Sequence, residues 1–122
     1  MIPEKDLLDW ATRIGVQAKF DGLNKTQIEN LISSIDIVEG DESSLLVVPA
    51  YAYRQSNRLR KGRNTATLIK EAFTWLYDNG GTKDDARKLL GLAKWIFEGV
   101  EKTRIPRVDV KKLTLAHLIK SI

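Results

Sequence analysis

Apolar side chains recur along this chain at helical intervals. Leu7, Leu8, Ala11, Ile14 and Ala18 share one face of a helix expected over residues 3–19, opened by Pro3 and ended by Asp21-Gly22. Leu23-Asn24-Lys25-Thr26-Gln27-Ile28 has the form of a helix start. Asn24 can cap, Gln27 can reach back to complete a capping box, and Leu23 can staple onto Ile28. Ile28, Leu31, Ile32, Ile35 and Val38 then supply a stripe that Gly40 ends. Leu45-Leu46-Val47-Val48 has the look of a short strand, but one strand alone makes no sheet. A third helix that begins near Pro49, or is kinked there, is expected instead, running to about Lys61 with Gly62 as its stop. A fourth, over 65–78, buries Ile69, Ala72, Phe73 and Leu76 and stops at Asn79-Gly80-Gly81. The fifth is the cleanest. Thr82 caps it, Asp84 and Asp85 suit its N-terminal dipole, and Ala86, Leu89, Leu90, Ala93, Ile96, Phe97 and Val100 line one face. Pro106 separates a short last helix whose apolar positions are Leu115, Ala116, Ile119 and Ile122. The expected fold is all-α: a single compact bundle of about five to six helices over 1–122, with 104–122 a candidate separate C-terminal helix.

Composition narrows the classes. A chain of 122 residues, 43% of them apolar, suits one core and is not the composition of a disordered protein. It has no run long and apolar enough to span a membrane, and MIPEKDLLDW lacks the layout of a secretory signal. A cytoplasmic protein without a membrane partner is therefore expected. Cysteine is absent, which excludes disulfides, thiolate metal sites and thiol nucleophiles.

Charge changes the picture more. Residues 1–42 hold nine acidic and four basic side chains, whereas residues 43–70 hold six basic ones and no acid. Such asymmetry points to an acidic partner, most often a phosphate backbone. On a helix over 49–61, Tyr51, Arg54, Arg58 and Lys61 form one stripe, and Arg60 and Arg63 extend it around the helix end. Arginine forks match phosphate oxygens and a neighbouring tyrosine can stack on a base, so Tyr51, Arg54, Arg58, Arg60, Lys61, Arg63 and, one helix earlier, Lys25 are the candidate nucleic-acid contacts. Half-buried packing is the competing reading of Tyr51 and Tyr53. Arg104, Arg107, Lys111 and Lys112 form a second basic cluster that either joins this surface or solubilises the tail.

Catalysis has little foothold. His117 is the single histidine, too few for a histidine-based zinc site, and no metal or other cofactor is expected. Asp84 and Asp85 are adjacent and point in different directions on a helix, so they cannot oppose each other as acid and base. Gly80-Gly81-Thr82-Lys83 lacks the spacing and the preceding strand of a phosphate loop, and Ser43-Ser44 has no histidine near it in sequence. Residues 8–35 admit a helix-turn-helix reading, with Gly15 or Gly22 in the turn and Gln27 and Asn30 as base readers. Its acidic surroundings argue against it.

Three segments in order resemble the small-subunit family of type III-A (Csm-type) CRISPR interference complexes. Leu8-Asp9-Trp10-Ala11-Thr12-Arg13-Ile14-Gly15 leads into Gly22-Leu23-Asn24-Lys25-Thr26-Gln27-Ile28, like the family's helix followed by a Gly-Leu-x-x-(Ser/Thr)-Gln start. Leu46-Val47-Val48-Pro49-Ala50-Tyr51-Ala52-Tyr53, with an Arg/Asn-rich stretch after it, is similar to the family's apolar-Pro-x-x-Ala-Tyr segment. The helix from Ala86 to Val100 carries Trp95 and Phe97 where the family tends to have aromatics. By strict spacing the family's arginine after Ala-Tyr falls on Asn57, with Arg58 one residue late. The resemblance implies a non-catalytic helical subunit that contacts the backbone of guide RNA and of target RNA or DNA beside other effector subunits. The acidic N-terminal region would then face the basic patch of a second copy, head to tail. A protein–protein adaptor with a basic docking patch is the alternative.

Overall fold

The computed structural model describes residues 2–106 and 108–122. Its helices are α1 (Glu4–Phe20), α2 (Lys25–Ser33), α3 (Asp41–Leu59), α4 (Arg63–Asp78), α5 (Lys83–Val100) and α6 (Leu115–Ser121), with 3-10 turns at Ser34–Ile37 and Val110–Lys112. The fold is an all-α compact bundle, with no strand among the described residues. Among the described residues no helix is long and apolar enough to cross a membrane.

The local signals act as expected where they are short-range. Asn24 and Gln27 form a reciprocal capping box at α2, and Thr82 and Asp85 form another at α5. Leu23 and Ile28 share a small cluster with Ala18 and Phe97. Two expectations shift. The second helix stops at Ser33 and tightens into the 3-10 turn, where the Ser34 hydroxyl donates to the Leu31 carbonyl and competes with regular helix. Ser44 Oγ takes up the Ile35 carbonyl that this leaves. The third helix begins at Asp41, eight residues before Pro49, because Gly40 precedes two acids placed in its first turn. Pro49 lies inside the helix and removes one intrahelical bond, to the Leu45 carbonyl. Leu45 and Val48, the strand-like run, are buried in the core.

Helix α1 packs most extensively on α5, and α3 on α4; α1 also meets α4, which joins the two pairs. The core runs between them through Val16, Ile35, Leu45, Val48, Ile69, Phe73, Leu76, Leu89 and Leu90. Val110, Leu113 and Leu118 belong to the same cluster, so the C-terminal segment is laid onto α1. In α6 the residue facing the core is Leu118, while Ile119 and Ile122 are exposed. Buried in mid-helix, Gly15 sets how closely α1 meets α5: a Cβ there would lie 2.6 Å from the Ala93 carbonyl oxygen and 3.0 Å from Ile96 Cγ2. It is a packing glycine, and the helix-turn-helix reading that gave it a turn is corrected on this point.

Carboxylates from elsewhere in the chain cap three helices. Asp21, in the turn after α1, accepts from the Thr65 amide at 2.8 Å and the Thr65 hydroxyl at 2.7 Å, in the first turn of α4. Asp41 accepts from the Lys83 amide of α5, and the buried Asp9 accepts from the Leu115 amide of α6. The N-cap of α4 is Gly62, which has no side chain to cap with; Asp21 supplies the missing acceptor.

Gly15→Ala is expected to destabilise the fold by about 1–3 kcal/mol despite alanine's better helix propensity, read from urea unfolding. Asp21→Ala leaves the buried Thr65 without its acceptor and should cost about 1–2 kcal/mol in the same assay.

Candidate nucleic-acid interface

Helix α3 is long enough to present two faces beyond its buried one. On the first, Tyr51, Arg54 and Arg58 stand one turn apart, as their i, i+3, i+7 spacing requires. Opposite them stand Gln27 and Asn30 of α2, and together these side chains line a shallow open cleft of about 300 Å³ that also takes in Gln55 and Leu59. Tyr51 is half-buried, whereas Arg54 and Arg58 are exposed. Gln55 is buried and donates to the Gln27 carbonyl at 3.0 Å, which ties the two walls of the cleft together. Gln27 itself spends its side-chain oxygen on the Asn24 amide, so its role is first to start α2. The cleft contains a stacking surface, two guanidinium forks and an amide, a set suited to phosphate and base faces together.

The expected four-residue stripe is a stripe of three. Helix α3 ends at Leu59, two residues earlier than expected, and Arg60 adopts the left-handed conformation with φ 55°. That reversal takes Lys61 off the stripe, and its ammonium donates to the Gly22 carbonyl at 2.9 Å. Gly62 follows, also left-handed at φ 86°, and leads into α4 rather than ending α3. Arg63 lies over the ring of Tyr53 at 5.5 Å, and the Tyr53 hydroxyl is 3.2 Å from Thr67 Oγ1. This pair is on the α4-facing side of α3, away from the cleft. Lys25 is exposed at the start of α2, two residues before Gln27.

The ion pairs of the molecule avoid this region. Lys5, Lys83, Arg87, Lys88 and Lys94 bridge to Asp9, Asp36, Asp84, Glu4, Glu29 and Glu98. Among the described residues no carboxylate pairs with Arg54, Arg58, Arg60, Lys61 or Arg63. The N-terminal acids are the ones already engaged: Glu4, Asp9, Asp21, Glu29, Asp36 and Asp41 all hold partners within the chain. Among the described residues, Asp6, Glu39 and Glu42 are the acids of residues 1–42 without such a partner, and Glu4, Glu29 and Asp36 are paired but remain exposed.

In the second basic cluster, Arg104, Lys111 and Lys112 are exposed, and Arg107 lies outside the described residues. Lys111 borders a larger cleft of about 610 Å³, walled by Gln17 and Phe20 of α1 and by Asn64 and Thr67 of α4. Asn64 directly follows Arg63, but Arg63 itself is not among the residues that line this cleft. The other chemistry-bearing residues have structural surroundings: Ser44 is buried, Asp85 closes a capping box, Asp84 pairs with Arg87, and His117 is exposed on α6.

Comparison with protein-family models, curated proteins and solved structures finds no match to this chain. The arrangement is therefore argued from its own geometry. Gln55 is the site residue that pattern reading overlooked. It lies four positions after Tyr51 on the same stripe, and its amide, unlike an arginine, carries no charge to draw notice.

A non-glycine residue in the left-handed region carries about 1 kcal/mol of strain, and Arg60 holds it beside the cleft. Arg60→Gly is expected to stabilise the fold by about 0.5–1 kcal/mol while weakening polyanion binding. Thermal unfolding and a binding titration on the same variant check both signs.

Proposed function

We propose that this chain is a non-catalytic nucleic-acid-binding subunit that grips a sugar-phosphate backbone without reading sequence. The observation that carries the reading is the unpaired basic surface of α3 and the α3–α4 turn. Every intramolecular ion pair among the described residues lies elsewhere, so these guanidinium groups are held exposed with no carboxylate to neutralise them. Tyr51 sits in the same cleft as Arg54 and Arg58, which adds a stacking face to two phosphate forks. A cleft open on one side suits a single strand, or one strand of a duplex, laid along α3.

Together with the ordered resemblance of residues 8–100, this makes a small subunit of an RNA-guided CRISPR effector the leading reading. The ligand is then the guide RNA or its paired target, and the partners are the other subunits of the complex. Arg54 and Arg58 are the principal contacts, with Tyr51 beside them. Arg60 and Arg63 flank the helix end, and Lys25 with Arg104, Lys111 and Lys112 extends the positive field. Lys61 contributes charge while its ammonium stays on the Gly22 carbonyl. An adaptor role, with the same patch on an acidic protein, is the second reading; the exposed Trp95 is the feature that favours a protein partner for this chain.

A salt-series titration against unrelated single-stranded RNA separates the two. Binding should be independent of sequence and fall steeply with salt. The double reversal Arg54→Glu/Arg58→Glu should abolish it, and neutralisation to Gln at both positions should flatten the log–log salt slope by roughly 1–1.5. Salt-insensitive binding, or binding indifferent to both reversals, would sink the backbone reading.

A further inference from the structure

The exposed face of α5 has no role in the core or in the basic cleft. Trp95 stands on it with 75% of its surface exposed, the most exposed large apolar side chain of the described residues. One turn to either side are Gly91 and Gly99, and a Cβ added at either would meet nothing within 4 Å. Internal packing therefore does not require glycine at these places, and a solvent-facing helix interior disfavours it. A bare backbone on both sides of a projecting indole is explained if another helix comes close there.

The face is periodic as well. Along this outward stripe Asp84, Lys88, Gly91, Trp95, Glu98 and Lys102 follow one another at intervals of four and three, in the order acid, base, glycine, tryptophan, acid, base. Lys102 sits in the turn just past α5, where Glu101 still keeps helical dihedrals (φ −53°, ψ −43°). This seam is complementary to itself when reversed. With two copies antiparallel about position 93, Trp95 of each faces Gly91 of the other. Lys88 faces Glu98, and Asp84 faces Lys102. All three kinds of layer match at one registration: a bulky knob on a bare backbone and two pairs of opposite charge. In a parallel pair every residue would face its own like, tryptophan on tryptophan and charge on equal charge.

We propose that the exposed seam of α5 is a homodimer interface, in which two copies pair antiparallel about a two-fold axis through position 93. A two-fold contact of this kind closes on itself and does not propagate, unlike a head-to-tail row. The local ion pairs it disturbs are Lys88 with Glu4 at 3.7 Å, both exposed, and Lys94 with Glu98 at 3.9 Å, where Lys94 is half-buried. Asp84 also bonds Arg87 from its own helix. A seam of one helix is smaller than the ~1,600 Å² of a standard interface, so the dimer is expected to be reversible and concentration-dependent. The proposal does not depend on nucleic-acid binding, which uses other helices.

Sedimentation over a concentration series tests it on the intact chain without nucleic acid, with circular dichroism confirming that each variant is folded. The wild-type chain should pass from monomer to dimer and no further. Trp95→Ala should weaken that step by about tenfold or more. Lys88→Glu and Glu98→Lys, each alone, should abolish it, because each places like charges opposite one another twice. An equimolar mixture of those two variants should dimerise again, since both carboxylates of one chain then face both ammoniums of the other. A wild-type chain that stays monomeric throughout overturns the proposal. So does a mixture that fails to recover, or growth into longer rows that Trp95→Ala leaves unchanged.

Discussion

The closeness of two helix backbones is the constraint on which this bundle turns. Where α1 crosses α5, the backbone of Gly15 comes so near the Ala93 carbonyl that no side chain fits between them. That approach lets short residues such as Ala11, Ala18 and Ala93 bury their whole surface at the contact. It also draws α4 in on the other flank of α1, where Phe73 and Leu76 fill the centre. The outward side of α5 around Trp95 is left exposed, and α3, packed mainly on α4, keeps Arg54 and Arg58 turned to solvent.

The charge distribution takes on a different meaning once the fold is seen. The acid-rich first third of the chain is largely internal hardware. Asp9, Asp21 and Asp41 serve the starts of helices that come later in the sequence, and Glu4, Glu29 and Asp36 bind lysines and an arginine of α5. The basic stretch receives none of this compensation. An electrostatic asymmetry that is plain in the sequence is sharpened by folding, because the acids are consumed within the molecule and the arginines are not.

What was legible beforehand follows the range of the interaction responsible. The Asn24–Gln27 capping box and the Thr82 cap are legible because each lies within four residues; that Asp85 reaches back to complete a second box is seen only in the structure. The registers of α4 and α5 follow from apolar spacing. The beginning of α3 was misplaced because Pro49 and the run Leu45–Val48 dominate locally, whereas Gly40-Asp41 starts the helix and Asp41 is anchored on the amide of Lys83, far along the chain. Lys61 was placed on a stripe it leaves because nothing in the residues 58–62 announces that Arg60, with a Cβ, will turn left-handed ahead of Gly62. The arginines were visible as charges, but the cleft was not, since α2 supplies its other wall. Gly15 illustrates the same limit: apolar spacing places it inside α1, but its packing role shows only once the helix pressed against it is known.

The pairing of α1 with α5 also orders events during synthesis. Synthesis runs from the N- to the C-terminus, so α1 is made well before its main neighbour α5. The α3–α4 hairpin can assemble from adjacent segments, but the contact of α1 with α5 cannot close until some eighty further residues have appeared, the span from α1 to the end of α5. The Asp9 and Asp21 carboxylates wait with it for helix starts not yet made. The order of elements along the chain thus makes the α1–α5 seam a late contact, closed only after the helices between them exist.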